Sequence, residues 1–238
     1  MLREEDRTPK KIVPAIPEDS VNLFDEKQVS YYIESFHRDI VLRAMNYIKD
    51  RRLDTAVNRP KSLYLSFDDF VHKDRLIIPF YSNTGKIGSY QSRLLLDTND
   101  AKYLTKYGEK CLYGENTISE DIPYIFVFEG PIDAMFCKNG VAVGGAKRTD
   151  RQNQFLETCI GHEVIYVFDN DKNNEEMESQ VIKTIKRGGR VLIWPKKMSK
   201  FKDVNEICCH LSTDEIPYSF FVKNSFKGLD AEVKFKSR

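Results

Sequence analysis

The sequence predicts an α/β protein: a mostly parallel sheet flanked by helices in the second half, preceded by a smaller basic α+β region. Three observations carry this. Short β-rich runs (PYIFVF, VAV, EVIYVF, RVLIW) alternate with helix-like segments, and that alternation implies right-handed crossovers and a sheet covered on both faces. Before them lie a helical stretch and a hairpin, a pattern of a different kind. The chain has 238 residues, 41% of them hydrophobic and 12% aromatic, enough for a sizeable core and unlike a disordered protein.

The elements follow in order. Residues 1–24 mix charges with Pro9, Pro14 and Pro17 and show no period, so a linker or extended arm is expected. From Glu26 to Leu53 apolar residues recur at helical spacing (Tyr32, Ile33, Phe36, then Ile40, Val41, Ala44, Met45, Ile48), predicting two helices broken near His37. RLIIPFYSNTGKIGSYQSRLLL places two β-rich runs around Asn83, Thr84 and Gly85, the composition of a hairpin turn. The basic region is taken as residues 25–122 and the parallel-sheet unit as 123–212, with 213–238 a C-terminal tail. Within the unit, GPIDAMFCKNG reads as a short helix stopped by Gly140, and RQNQFLETCI as another helix. EEMESQVIKTIKRGG is a third, with Met177, Val181, Ile182 and Ile185 on one side and glycines at its end, and DVNEICCHL is a last short one.

Charge and cysteine usage narrow the class. Lys plus Arg number 37 against 36 Asp plus Glu, a net charge of +1, so attraction to a polyanion must come from local patches. Cys111, Cys137, Cys159, Cys208 and Cys209 show no paired CxxC spacing, which predicts buried thiols in a reducing cytoplasm rather than a disulfide framework or a zinc ribbon. The start MLREEDRTPKK lacks the apolar core of a signal peptide, and LIIPFY and YIFVF are too short to cross a bilayer. An internal, soluble protein without a membrane partner is expected.

Open parallel sheets carry their chemistry beyond the carboxyl ends of the strands. After PYIFVF comes Glu129, with Asp133 one helical turn on; after EVIYVF come Asp169 and Asp171, aimed to one side by period-two spacing; after RVLIW and a basic loop comes Asp203. Converging carboxylates raise one another's pKa unless a cation joins them, and oxygen-only ligands point to Mg²⁺ or Mn²⁺ rather than zinc. For Asp171 alone, capping the next helix is an equal alternative. For Asp133 the alternative is holding a neighbouring backbone group or a basic side chain. The acids at 175, 176 and 178 read as a solvated first turn, and Lys196, Lys197, Lys200 and Lys202 as a solvated loop. Lys147 and Arg148, after VAVGGA, either approach a nucleotide or merely follow a turn.

FVFEGPIDAMF, VFDNDKNN and KFKDVNEI together resemble the Toprim domain, with its glutamate-glycine after one strand and DxD after another. DRLIIPFYSNTGKIGSYQSRLL and AKYLTKYGEKCLYG resemble the basic subdomain that precedes Toprim in DnaG-type primases. EGPIDAMF, FDND, VLIWPK and KDVNEI are similar in order and spacing to the primases of T-even-type bacteriophages. The likeness spans residues 28–212. It implies a DNA primase catalytic core that makes short RNA primers on single-stranded DNA, with Glu129, Asp169 and Asp171 catalytic and holding Mg²⁺ or Mn²⁺ together with Asp203. It further implies that Arg75, Arg93 and Lys102 meet substrate or template phosphates, with Lys147 near a nucleotide. Lys86, Lys106 and Lys110 belong to the same basic segment, and Tyr90, Tyr103, Tyr107 and Tyr113 are its candidates for base stacking. Ribonucleoside triphosphates, a single-stranded template and a replicative helicase are the implied partners, in the cytoplasm of a host cell if the chain is phage-encoded. Neither an N-terminal cysteine zinc module nor a sizeable helicase-interaction domain corresponds to anything here. A fragment cut at the linker, or a zinc-binding module on another polypeptide, is therefore expected. The competing readings are a Toprim nuclease and a non-catalytic nucleic-acid- or helicase-binding module.

Overall fold

Two five-stranded sheets, one antiparallel and one mostly parallel, share a continuous core in the computed structural model, which describes residues 16–145, 147–171 and 174–237. Most of the expected N-terminal arm, residues 1–15, lies outside the described residues, as does the Tyr107 side chain.

The first sheet runs in chain order: β1 (Val21–Asn22), β2 (Tyr64–Ser66), β3 (Arg75–Tyr81), β4 (Ile87–Leu94) and β5 (Tyr103–Tyr107). Every pairing is antiparallel. Helices α1 (Glu26–Ile33) and α2 (Arg38–Asp50) precede β2, and the break between them falls where it was expected. Asp25 caps α1 through bonds from the Lys27 and Gln28 amides. The hairpin turn between β3 and β4 closes with Ser82 N donating to Lys86 O at 2.8 Å. Gly85 supplies its positive φ of 77°. One expectation needs correcting: residues 21–24 are not part of an arm. Val21 and Leu23 are 1% and 2% exposed, and β1 extends the sheet, because two apolar side chains two apart can both face its core.

The second sheet has the order β10-β9-β8-β6-β7, built from β6 (Tyr124–Phe128), β7 (Gly140–Ala142), β8 (Glu163–Val167), β9 (Arg190–Leu192) and β10 (Ser225–Phe226). The β6–β7, β6–β8 and β8–β9 pairs are parallel, while β10 pairs antiparallel with β9. Helices α3 (Pro131–Ala134), α4 (Asp150–Thr158) and α5 (Glu175–Lys186) make the crossovers. The step from β6 to β7 runs opposite to those from β7 to β8 and β8 to β9, so right-handed connections put α3 on one face and α4 with α5 on the other.

Helices α6 (Val204–Leu211), α7 (Tyr218–Lys223) and α8 (Gly228–Lys236) complete the chain. The expected C-terminal tail is thus an integral part of the sheet's packing, since β10 pairs with β9 and Ala231 and Phe235 of α8 join Met177, Val181 and Ile185 in one apolar cluster. Covering β9 protects what would otherwise be an open edge. Ile182, expected in that stripe, is 39% exposed; the i, i+4 row of Met177, Val181 and Ile185 fills the face alone. Nor does Gly140 stop the helix before it. Asn139 takes the left-handed turn at φ 54°, and Gly140 begins β7, where a Cβ would stand 2.5 Å from Ala134 O.

Among the described residues no helix is long and apolar enough to cross a membrane. All five cysteines are free, with Cys111, Cys137 and Cys208 buried.

Candidate active site

The acids at the strand exits of the second sheet act on one another electrostatically and divide the labour among them. Asp133 Oδ1 accepts from Asn205 N at 2.9 Å, so this acid ties α3 to the start of α6, the backbone-holding role. Asp203 caps α6, its Oδ1 accepting from Glu206 N at 2.8 Å. Asp171 does not cap α5; Asn174 does, accepting from Met177 N at 3.0 Å. The capping alternative for Asp171 therefore falls away.

Mutual repulsion is the main property of this rim. Burial, then Asp169 and Glu176, push the Glu129 carboxyl up to about 7 against the pull of Lys202, although the residue remains open to solvent. Burial, then Asp203 and Asp171, push Asp169 up to about 6, again opposed by Lys202. Asp133 is driven well above the carboxylate range by burial and by Asp203 and Asp169. These acids share one electrostatic field, and Lys202, expected in a mere solvated loop, is a cation that tempers it. Asn170 positions that loop: its amide donates to Lys202 O at 2.6 Å, and its Nδ2 to Met198 O at 3.0 Å and Phe201 O at 2.9 Å. Asn170 Oδ1, between the two aspartates in sequence, is a buried acceptor with no donor among the described residues.

Does this set fit a divalent ion? Among the described residues no three acidic, histidine or cysteine side chains close around one point. The donors are nevertheless oxygen only and mutually repelling, which is the chemistry that Mg²⁺ or Mn²⁺ satisfies.

The basic residues separate. Arg75 is 5% exposed and its Nη1 donates to Ala101 O at 2.8 Å, so it is an anchor inside the fold rather than an open phosphate contact. Arg93 lies over the rings of Tyr47 and Tyr103, at 5.5 and 4.9 Å, with its Nε unpartnered. Lys102 is exposed and 5.9 Å from the Tyr103 ring. Burial, with Tyr103 beside it, pushes the Tyr47 hydroxyl up to about 12. Lys147 is exposed and lines, with Glu129, a cleft of about 560 Å³. Tyr90 and Tyr113 are 1% and 2% exposed and are core residues, not stacking platforms; Tyr103 is open.

Sequence reasoning missed the residues that join the two sheets. Asn58 Nδ2 donates to Ala134 O at 3.1 Å and Gly140 O at 2.8 Å, while Asn58 O accepts from the Tyr113 hydroxyl at 2.5 Å. Gly144, at φ +67° just beyond β7, would clash through any Cβ with Phe80 Cε2 at 2.6 Å. Its carbonyl accepts from Gln91 Nε2 at 3.1 Å and Thr105 Oγ1 at 2.6 Å. Glu115 is clamped by Arg151 through two nitrogens, one at 2.6 Å.

Residues 126–208 match the family described as Toprim-like. A DNA primase of Enterobacteria phage T4 is 30% identical over 168 residues, which make up 69% of this chain and 47% of that protein.

The chain contains a Toprim-like domain and is similar to DNA primases.

It spans about half the length of the curated relative it matches. The fold agrees with the relationship. The RNA polymerase domain of Mycobacterium tuberculosis primase DnaG superposes with a TM-score of 0.57 at 18% identity, over 84% of this chain and 81% of that one. A DnaG primase catalytic domain bound to ssDNA gives 0.53 at 16% identity, over 86% and 78%. The Toprim-like match falls on the second sheet, from β6 through β9 to α6, and the antiparallel sheet precedes it.

Proposed function

We propose that this chain is the catalytic core of a DNA primase, joining ribonucleotides into short primers on single-stranded DNA. The observation that carries the reading is the gathering of acids at the Toprim-like rim, where burial and mutual repulsion push Glu129 up to about 7 and Asp169 up to about 6. Such repulsion is costly in a structural site and useful in a cation-dependent one.

Glu129, Asp169 and Asp171, with the oxygen of Asp203 not engaged in capping, would hold Mg²⁺ or Mn²⁺. When bound, the ions supply activation of the attacking 3′-hydroxyl and charge neutralisation on the transferring phosphate. The remaining work belongs to the chain itself. Asp133 fixes α6, and with it Asp203, by its bond to Asn205. Asn170 holds Lys202 against the rim. On the first sheet, Arg93 and Lys102 flank Tyr103, giving two cations and a ring for phosphates and a base. Arg75 contributes as a positioning residue by holding Ala101 beside Lys102. Lys147, on the cleft that includes Glu129, would meet nucleotide phosphate.

The partners on this reading are ribonucleoside triphosphates, a single-stranded template and a replicative helicase, in the cytoplasm. The test is incubation with single-stranded DNA, Mg²⁺ and labelled ribonucleotides, comparing the native chain with Asp169→Ala. New labelled oligoribonucleotide, absent with the variant, is the expected result. Shortened template in its place would make the protein a Toprim nuclease.

A further inference from the structure

On the face of the Toprim sheet away from α3, the helices leave a strip uncovered. The apolar cluster under α5 and α8 and the one containing Leu156 of α4 are separate, and Tyr166 of β8 packs at the margin of both. A groove runs over that strip. At the rim it includes Glu129, Lys147 and Phe168; beyond Tyr166 it continues to Glu157, Val164 and Gly189 near the opposite end of β8. Arg148, Asn153, Tyr166, Thr184 and Arg187 line both halves and so form its middle.

The chemistry of the middle is specific. Arg148 lies over the Tyr166 ring, its Cζ 4.5 Å from the centroid, and is held there by Nε donating to Asn153 Oδ1 at 2.8 Å. That presents a fixed guanidinium plane, a surface on which bases stack. From α5 the groove receives Glu176, Gln180, Lys183 and Arg187, a row at helical spacing. None of Lys147, Arg148, Lys183 and Arg187 forms a salt bridge among the described residues. The carboxylates Glu129, Glu176 and Glu157 lie toward the ends. Lys183 and Arg187 also complement the carboxyl end of α5, but that role requires neither a groove nor a stacked arginine opposite.

We infer that this groove binds a single-stranded polynucleotide leading away from the acid rim. Glu176 to Arg187 covers about 16 Å of helix at about 1.5 Å per residue, room for roughly four stacked nucleotides at about 3.4 Å each. A path extending along the whole of β8 suits a strand better than one small anion. Both a nascent RNA with its 5′-triphosphate and the template DNA carry the required phosphates and bases. Only the identity of the strand rests on the primase reading; the site itself does not.

The experiment uses the full chain in EDTA, so that catalysis is silent. Fluorescence anisotropy follows a 5′-triphosphorylated tetraribonucleotide and, in a second arm, a tetradeoxynucleotide. Lys183→Glu/Arg187→Glu should weaken binding at least about tenfold and lower the salt slope by about 1.4, two phosphate contacts at about 0.7 each. Lys183→Gln/Arg187→Gln, which adds no repulsion, serves if the first variant melts early. Tighter binding in the RNA arm assigns the groove to the new strand, and equal or tighter binding in the DNA arm to the template. Unchanged affinity and slope in both variants, no binding by the native chain, or loss of binding only with Arg93→Ala would overturn the groove. Absence of primer synthesis alongside the expected binding loss would instead sink the primase reading and leave the groove standing.

Discussion

Two glutamates of this chain, one between the sheets and one at the acid rim, are treated in opposite ways. Glu115 has a side chain wholly buried, clasped by both terminal nitrogens of Arg151 and by the Leu112 and Asn83 amides at 3.0 and 3.3 Å. Glu129, at the exit of β6, faces Asp169 and Glu176, with Lys202 to offset them among the described residues. Where the fold needs a carboxylate it satisfies every oxygen. Where it leaves carboxylates in mutual repulsion, the residue is kept for something the chain does not itself contain.

The sharpest way to break this comparison is Asp169→Asn. Primer synthesis should fall on the order of 10³-fold, as when one essential electrostatic group is removed, while the melting temperature in EDTA rises, because one of the repelling charges has gone. Mg²⁺ should then raise the melting point of the native chain and not of the variant; a variant that melts lower in EDTA would make Asp169 structural.

Glu115→Gln tests the opposite pole. Removing one member of a buried pair leaves Arg151 uncompensated and should cost about 3 kcal/mol of unfolding free energy, read by urea denaturation, with no gain on metal removal.

The pH dependence follows from the raised carboxyls. Between the ordinary 4.5 and about 7 for Glu129, and between 3.8 and about 6 for Asp169, the folded state binds more protons than the unfolded one. Stability therefore falls as pH rises through that window. Melting curves in EDTA from pH 5 to pH 8 should show a decline, and saturating Mg²⁺ should flatten it. A trend that rises with pH would mean that the rim is already neutralised.

The smallest effect belongs to the scaffold. Thr149 caps α4 in a reciprocal capping box with Gln152, and Thr149→Ala should lose about 1 kcal/mol without altering the Mg²⁺-induced melting shift.

The sequence made part of this legible because the signals were local. Alternating β-runs and helices fixed the parallel sheet, and an aspartate pair straight after β8 could only stand at its rim. The helix break before Arg38 and the turn at Gly85 were equally local. What escaped was tertiary. An arginine anchored inside a sheet and one lying open have the same letter, so the burial of Arg75 could not be read from it. Tyr90 and Tyr113 were open to the same confusion between core and platform. β1 and β10 are too short to show a period and exist only because an edge strand is there to pair with. Lys202 gains its role from Asn170, which is distant from it in sequence, and Asn58 from backbone carbonyls of the other sheet.

The glycine just past β7 carries a last implication. With its carbonyl taken by Gln91 and Thr105 and its α-carbon set against Phe80, the neighbouring sheets have no hinge at that point. A calorimeter should record a single endotherm for both, and the metal-bearing half, severed from its antiparallel neighbour, should not survive as a free-standing fragment.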